Sequence, residues 1–168
     1  GRGLTRPEHA LLLAYGKIAL NHALTVSGGA SDPYLARELQ RYFPRALRRC
    51  YPERIEHHRL RARIITTAIT NSCVNRVGPA LLMECAEQDG TDAADAARAY
   101  TIARDSAELR TLWEQIEALD GRVKAEHQYE ALWHTSRFLR HVTLWLLAHR
   151  REFGAAGAAV TRLQPALR

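Results

Sequence analysis

Cysteine is scarce: Cys50, Cys73 and Cys85 are all that 168 residues hold. Three scattered thiols supply neither a disulfide framework nor a zinc knuckle. Cys73 and Cys85 fall in apolar patterns, where a thiol behaves as a small hydrophobe. That usage implies a reducing compartment, the cytoplasm. β-branched residues are sparse and no alternating run of useful length occurs, so a sheet has nothing to be built from. The longest apolar runs, Ala10 to Tyr15 and Leu144 to Ala148, are far too short for a bilayer, no signal peptide is seen, and no membrane partner is expected. An initial methionine is missing as well. The chain opens at Gly1 and passes at once into a helix signal, which leads us to expect a piece of a longer polypeptide.

The usual catalytic and cofactor motifs are absent too. None of the ten glycines stands in a GxGxxG array, and there is no P-loop and no GxSxG elbow. Cys50 lies among Arg48, Arg49 and Arg54, which could lower its pKa, but no base accompanies it. His127, His134 and His141 repeat every seven residues on one helix face. Successive members are then about 10 Å apart by helix rise, too far to share an ion whose ligands sit ~2 Å away. The expectation is therefore no catalytic residue, no cofactor site and no metal site within this chain.

What the sequence does hold is helix. Hydrophobic residues make up 46% of it, with Ala and Leu abundant. Thr5-Arg6-Pro7-Glu8 reads as a capping box opening a helix to about Val26, apolar nearly all round and so expected to be buried on several sides. Gly16 within it suits close approach by a neighbour. Asp32-Pro33 reads as a second start, Pro44 as an interruption, and Tyr51-Pro52 as a corner from which Pro52 opens a long central helix. In His57–Pro79 the residues Leu60, Ile64, Ile65, Ala68, Ile69, Cys73 and Val77 make one apolar face, stopped by Gly78-Pro79. A short helix follows to Asp89-Gly90, then an alanine-rich helix capped by Thr91-Asp92, running to about Asp105. Leu109, Leu112, Trp113, Ile116 and Leu119 line another, closed by Asp120-Gly121. The last long helix runs from about Lys124 to Arg151, striped by Tyr129, Leu132, Trp133, Leu139, Val142, Leu146 and Leu147. It breaks at Phe153 to Gly157, before a short helix ending at Gln164-Pro165. The expected fold is all-α: a single domain, residues 1–168, of about seven helices in a bundle-like array with no sheet.

Charge is polarised along the chain. Residues 41–63 carry eight arginines against Glu53 and Glu56, whereas residues 84–117 carry nine acids against Arg98, Arg104 and Arg110. Such polarity suits contacts between domains or subunits as well as it suits phosphates. The central helix combines an arginine-rich start with Thr66, Thr67, Thr70, Asn71, Ser72 and Asn75, and amides buried in a helix need partners. No acid, base or nucleophile accompanies these amides, so they read as a seam between helices rather than a site. Arg59, Arg61, Arg63, Asn71, Asn75 and Arg76 are the candidate interface residues. A small helical module binding phosphate or nucleic acid through the 41–63 arginines is the alternative, weakened because Tyr42, Phe43 and Tyr51 fall at core-like positions.

Five segments resemble one family: LTRPEHALLLAYGKIAL (4–20), DPYLARELQRYFP (32–44), HRLRARIITTAITNSCVNRVGP (58–79), TLWEQIEALDGRV (111–123) and the Trp145–Arg151 ending. They are similar to the helical region that follows the dehydrogenase domain in the large bacterial NAD-specific glutamate dehydrogenases. The resemblance implies a multidomain parent that deaminates L-glutamate oxidatively to 2-oxoglutarate and ammonium with NAD, in amino-acid catabolism. It implies a homo-oligomeric parent, with other domains of the same polypeptide as partners. None of that family's catalytic or cofactor residues matches a position here. The chain is thus expected to be non-catalytic alone and to serve interdomain packing, oligomer assembly or regulation.

Overall fold

The computed structural model describes residues 3–86, 91–153 and 156–167, and among these there are helices and no strand. The helices are α1 (Arg6–Val26), α2 (Arg37–Tyr42), α3 (Arg45–Cys50), α4 (Pro52–Glu56), α5 (Arg61–Val77), α6 (Ala80–Ala86), α7 (Ala93–Ser106), α8 (Leu109–Glu117), α9 (Ala125–Ala148), α10 (Arg150–Phe153) and α11 (Ala156–Leu167), with a 3-10 turn at Gly29–Ser31. The chain forms two compact units, Gly1–Ala97 and Arg98–Arg168, and the division falls inside α7.

In the first unit α1 starts as its sequence requires. The Glu8 carboxylate accepts from the Thr5 backbone N–H and from the Thr5 hydroxyl, both at 2.7 Å, which satisfies a donor that the first turn leaves open. Helix α5 is the centre, packing on α1, α2 and the 3-10 turn. Ile65, Ile69 and Cys73 are fully buried along it, and the core continues through Leu24, Leu35, Leu39, Ile55, Ala94 and Ala97. Gly78 ends α5 with φ +84, a conformation that favours glycine.

Several expectations change. The central helix does not run unbroken from Pro52. Helix α4 stops at Glu56, where the His57 ring lies 2.9 Å from the Glu53 carbonyl and the His58 ring accepts from the Leu60 N–H at 3.2 Å. Local side-chain bonds of this kind compete with the helical ladder. Leu60 is left outside the helix and exposed. Asp32 does cap, accepting from the N–H groups of Tyr34 (2.7 Å) and Leu35 (3.2 Å), but it caps a turn, and regular helix begins only at Arg37. The expectation that α1 is buried on several sides fails. Leu20 and Leu24 are buried, but Leu11, Leu12, Tyr15 and Ile18 are each more than half exposed.

In the second unit α8 packs on α9. The Trp113 indole N–H donates to the Thr135 hydroxyl (3.2 Å), and the Gln128 amide donates to the Ile116 carbonyl (2.8 Å). Leu109, Trp113, Ile116, Leu139, Leu146 and Leu147 are buried. The long final helix stops at Ala148, earlier than its pattern predicts, and there the His149 ring lies 2.8 Å from the Trp145 carbonyl and stacks on the Trp145 ring. Tyr129 and Trp133 of the expected stripe are exposed rather than buried. Helix α11 continues past Gln164 with Pro165 inside its last turn, where proline forfeits only one ladder bond. The Asp89-Gly90 corner, and Gly154 within the Phe153 to Gly157 break, lie outside the described residues.

Candidate functional site: a cleft between α1 and α5

A cleft of about 470 Å³ opens where α1 crosses α5, lined by Lys17, Asn21, His22, Thr25, Arg63, Thr67, Thr70 and Asn71, with Ile18 beside them. Helical spacing explains the set. Lys17, Asn21 and Thr25 follow at four-residue steps on α1, as Arg63, Thr67 and Asn71 do on α5, so each helix contributes one stripe. The walls are tied together. Asn21 donates from its side-chain amide to the Thr70 hydroxyl at 3.4 Å, and within α1 the Thr25 hydroxyl donates to the Asn21 backbone carbonyl at 2.7 Å. Farther along, Gly16 lets α1 approach the turn after α5, since a Cβ there would lie 2.8 Å from the Pro79 Cβ.

The cleft is cationic and unsatisfied. Lys17 and Arg63 line it and no Asp or Glu does. Among the described residues neither of those two cations has an ion-pair or hydrogen-bond partner. The side-chain Oδ1 of Asn71 is shielded from solvent and accepts no hydrogen bond, against the rule that buried polar atoms are paired. Of the polar residues on this side of α5, Thr70 is bonded across to α1 and Asn71 lines the cleft.

The other candidate residues lie elsewhere. Arg61 donates to the Ala30 carbonyl at 3.2 Å and so holds the 3-10 turn to α5. Arg59 and Asn75 are exposed, and Arg76 is half-buried. Of the 41–63 arginines it is Arg63 that lines this cleft, whereas Arg54 lines a shallower groove with Phe43, Leu47 and Tyr51. The α1 contributors were missed in the sequence, although their polar four-residue stripe was there to read. Among the described residues no three His, Cys, Asp or Glu side chains gather to hold a metal, and no helix is long and apolar enough to cross a membrane.

Burial separates the cysteines. Burial pushes the Cys73 thiol well above its ordinary range, with Cys85 adding to the effect, so it stays a neutral core thiol. Cys50 is exposed.

Comparison with known proteins adds a second line of argument. The family model described as glutamate dehydrogenase, C-terminal, matches residues 1–168. A protein of Halomonas elongata named NAD-specific glutamate dehydrogenase is 40% identical over 149 residues, which is 89% of this chain and 9% of that protein. Proteins of the same name from Pseudomonas aeruginosa and Mycobacterium tuberculosis are 36% and 31% identical over 98% and 96% of the chain, in each case 10% of the relative. This chain therefore spans about a tenth of the length of these curated relatives. No solved structure matches it.

Proposed function

The chain belongs to the glutamate dehydrogenase C-terminal family, and from that premise we propose that it is a non-catalytic helical domain of an NAD-specific glutamate dehydrogenase that docks on the rest of its own polypeptide. The parent reaction would convert L-glutamate, NAD⁺ and water to 2-oxoglutarate, ammonium, NADH and a proton. The domain would follow the dehydrogenase domain and contribute to packing and to assembly of a cytoplasmic homo-oligomer.

One observation carries this reading: the first half of α1 leaves Leu11, Leu12 and Tyr15 in solvent at 57–64% exposure. A contiguous apolar surface of that kind marks a contact site. Its occupant is the remainder of the same polypeptide, because relatives carry about nine-tenths of their length outside the matched region. A tethered partner is present at high effective concentration. Exposed Tyr129 and Trp133 on α9 offer a second apolar surface of the same sort.

The residues present do not fit NAD. A dinucleotide site uses a strand, a glycine turn and a helix N-terminus. The described residues include no strand, and of their positive-φ glycines Gly78 and Gly121 follow a helix while Gly28 lies between α1 and the short 3-10 turn. Cofactor chemistry would belong to other parts of the parent. The nucleic-acid alternative is weaker, since Arg41 pairs with Glu38 at 2.8 Å and Arg61 is engaged inside the fold.

The test is made in the full-length dehydrogenase. Leu11→Glu with Tyr15→Glu is expected to expose this domain to limited proteolysis and to weaken assembly, because both side chains are already solvent-exposed within the domain and their loss should spare its folding. Unchanged proteolysis and an unchanged oligomer would refute the docking role. Turnover of glutamate with NAD by the isolated chain would refute the non-catalytic part.

A further inference from the structure

The α1–α5 cleft has properties that docking through the outer face of α1 does not use. We propose that it binds a small oxyanion, a carboxylate or a phosphate, held by Lys17 and Arg63 from opposite walls and by hydrogen bonds from Thr67, His22 and the Asn71 amide.

Four observations converge on that ligand. The first is size. At about 470 Å³ the cavity falls within the roughly 300–1,000 Å³ typical of small-molecule sites. The second is charge. Two cations face one cavity with no acid in its lining, so each raises the potential felt by the other and an anion converts that repulsion into attraction. Within the arginine run Arg41 pairs with Glu38 and Arg61 donates to the Ala30 carbonyl, while Arg63 is set apart from the other exposed arginines by sharing one lining with Lys17. Lys17 and Arg63 have no partner among the described residues.

The third is the Asn71 side chain, shielded from water and unbonded at Oδ1. Amide oxygen and nitrogen exchange places by a half-turn of the side-chain plane. After the half-turn the group donates to an oxyanion, a partner that carboxylate and phosphate both supply. The fourth is rigidity. The Asn21–Thr70 bond already braces the two walls, so less ordering remains for the ligand to impose. The Thr67 hydroxyl has no partner among the described residues and lies in the same lining.

The inference does not depend on the docking reading, and the test keeps them apart. Peptide-level hydrogen exchange on the full-length polypeptide would be compared in sodium phosphate, sodium succinate and sodium chloride at matched ionic strength, up to about 10 mM, the weak end of millimolar affinity. Saturable protection of segments 17–25 and 63–71 beyond chloride is expected with at least one of the two oxyanions. Protection by phosphate alone identifies phosphate as the preferred group, by succinate alone a carboxylate, and by both the shared chemistry. Lys17→Gln with Arg63→Gln is expected to weaken the half-saturating concentration about tenfold or more, since charge-assisted hydrogen bonds are the strong ones. Asn71→Ala should weaken it while leaving the unliganded domain folded, because it removes an amide that is unpaired there. No protection beyond chloride, or protection indifferent to all three substitutions, overturns the site. Neither result bears on the proteolysis assay of the docking surface.

Discussion

At the head of α1 one carboxylate holds two donors of a single residue. Glu8 accepts from both the backbone N–H and the hydroxyl of Thr5, and these bonds hold its pKa below the ordinary value. A folded pKa depressed in this way lends stability that is complete above the ordinary carboxylate range and is lost as pH falls through the lowered value. The first turn of α1 should therefore fray only in acid, below about pH 4. Glu8→Gln should abolish that pH dependence. The Thr5 amide shift followed against pH checks both, and a midpoint at or above the ordinary Glu value would contradict the cap. Gly16 allows a second prediction. Alanine would add about 1 kcal/mol of helix propensity, but its Cβ would lie 2.8 Å from the Pro79 ring, and relieving such overpacking costs about 1–3 kcal/mol. Gly16→Ala should lower the unfolding midpoint. A higher midpoint would mean that Pro79 yields easily.

At the scale of elements, α5 decides the first unit. It buries both an apolar line, Ile65, Ile69 and Cys73, and the hydroxyls of Thr66 and Thr70. The Thr66 hydroxyl donates to the Arg63 carbonyl (3.2 Å), and Thr70 accepts from Asn21, so these two buried hydroxyls are matched. Ile69 is fully buried in the core cluster. Ile69→Ala should cost about 2–5 kcal/mol and Ile69→Val about 0.5–1.5 kcal/mol. Urea unfolding measures both, and a cost below the lower figure would place Ile69 outside a close-packed core. Helices α4 and α9 teach a complementary point. Each ends where a histidine ring turns back to a carbonyl four residues earlier, His57 to Glu53 and His149 to Trp145. Apolar periodicity carried straight through both positions, because periodicity records which face is apolar and not whether a side chain competes for the ladder.

For the whole molecule, the surface matters more than the core. Leu11, Leu12, Tyr15 and Ile18 on α1, with Tyr129, Trp133 and Trp145 on α9, are left exposed, and apolar side chains grouped on one helix face in this way mark contact sites. Assembly of the parent should accordingly be more sensitive to Leu11→Glu and Tyr15→Glu than to charge reversals at Arg59 or Arg45, which are exposed and in high dielectric contribute little. Sedimentation of the full-length variants distinguishes the two. Greater sensitivity to the arginines would shift the weight from apolar docking to charge.

The all-helical class, the stop at Gly78, the cap at Thr5 and the family were legible in the residues, because capping chemistry, glycine's positive φ and helical periodicity act within a few residues of chain. The tertiary structure alone decided what each face of α1 meets. Its apolar residues surround the helix almost evenly, so periodicity could not tell that Leu20 and Leu24 go inward while Leu11 and Tyr15 stay in solvent. Nor could it tell that Lys17 and Asn21 face Arg63 and Asn71 from about fifty residues away in the chain. Which stripes meet depends on how two helices cross, and crossing is fixed by packing against α5, a long-range contact that no local pattern encodes.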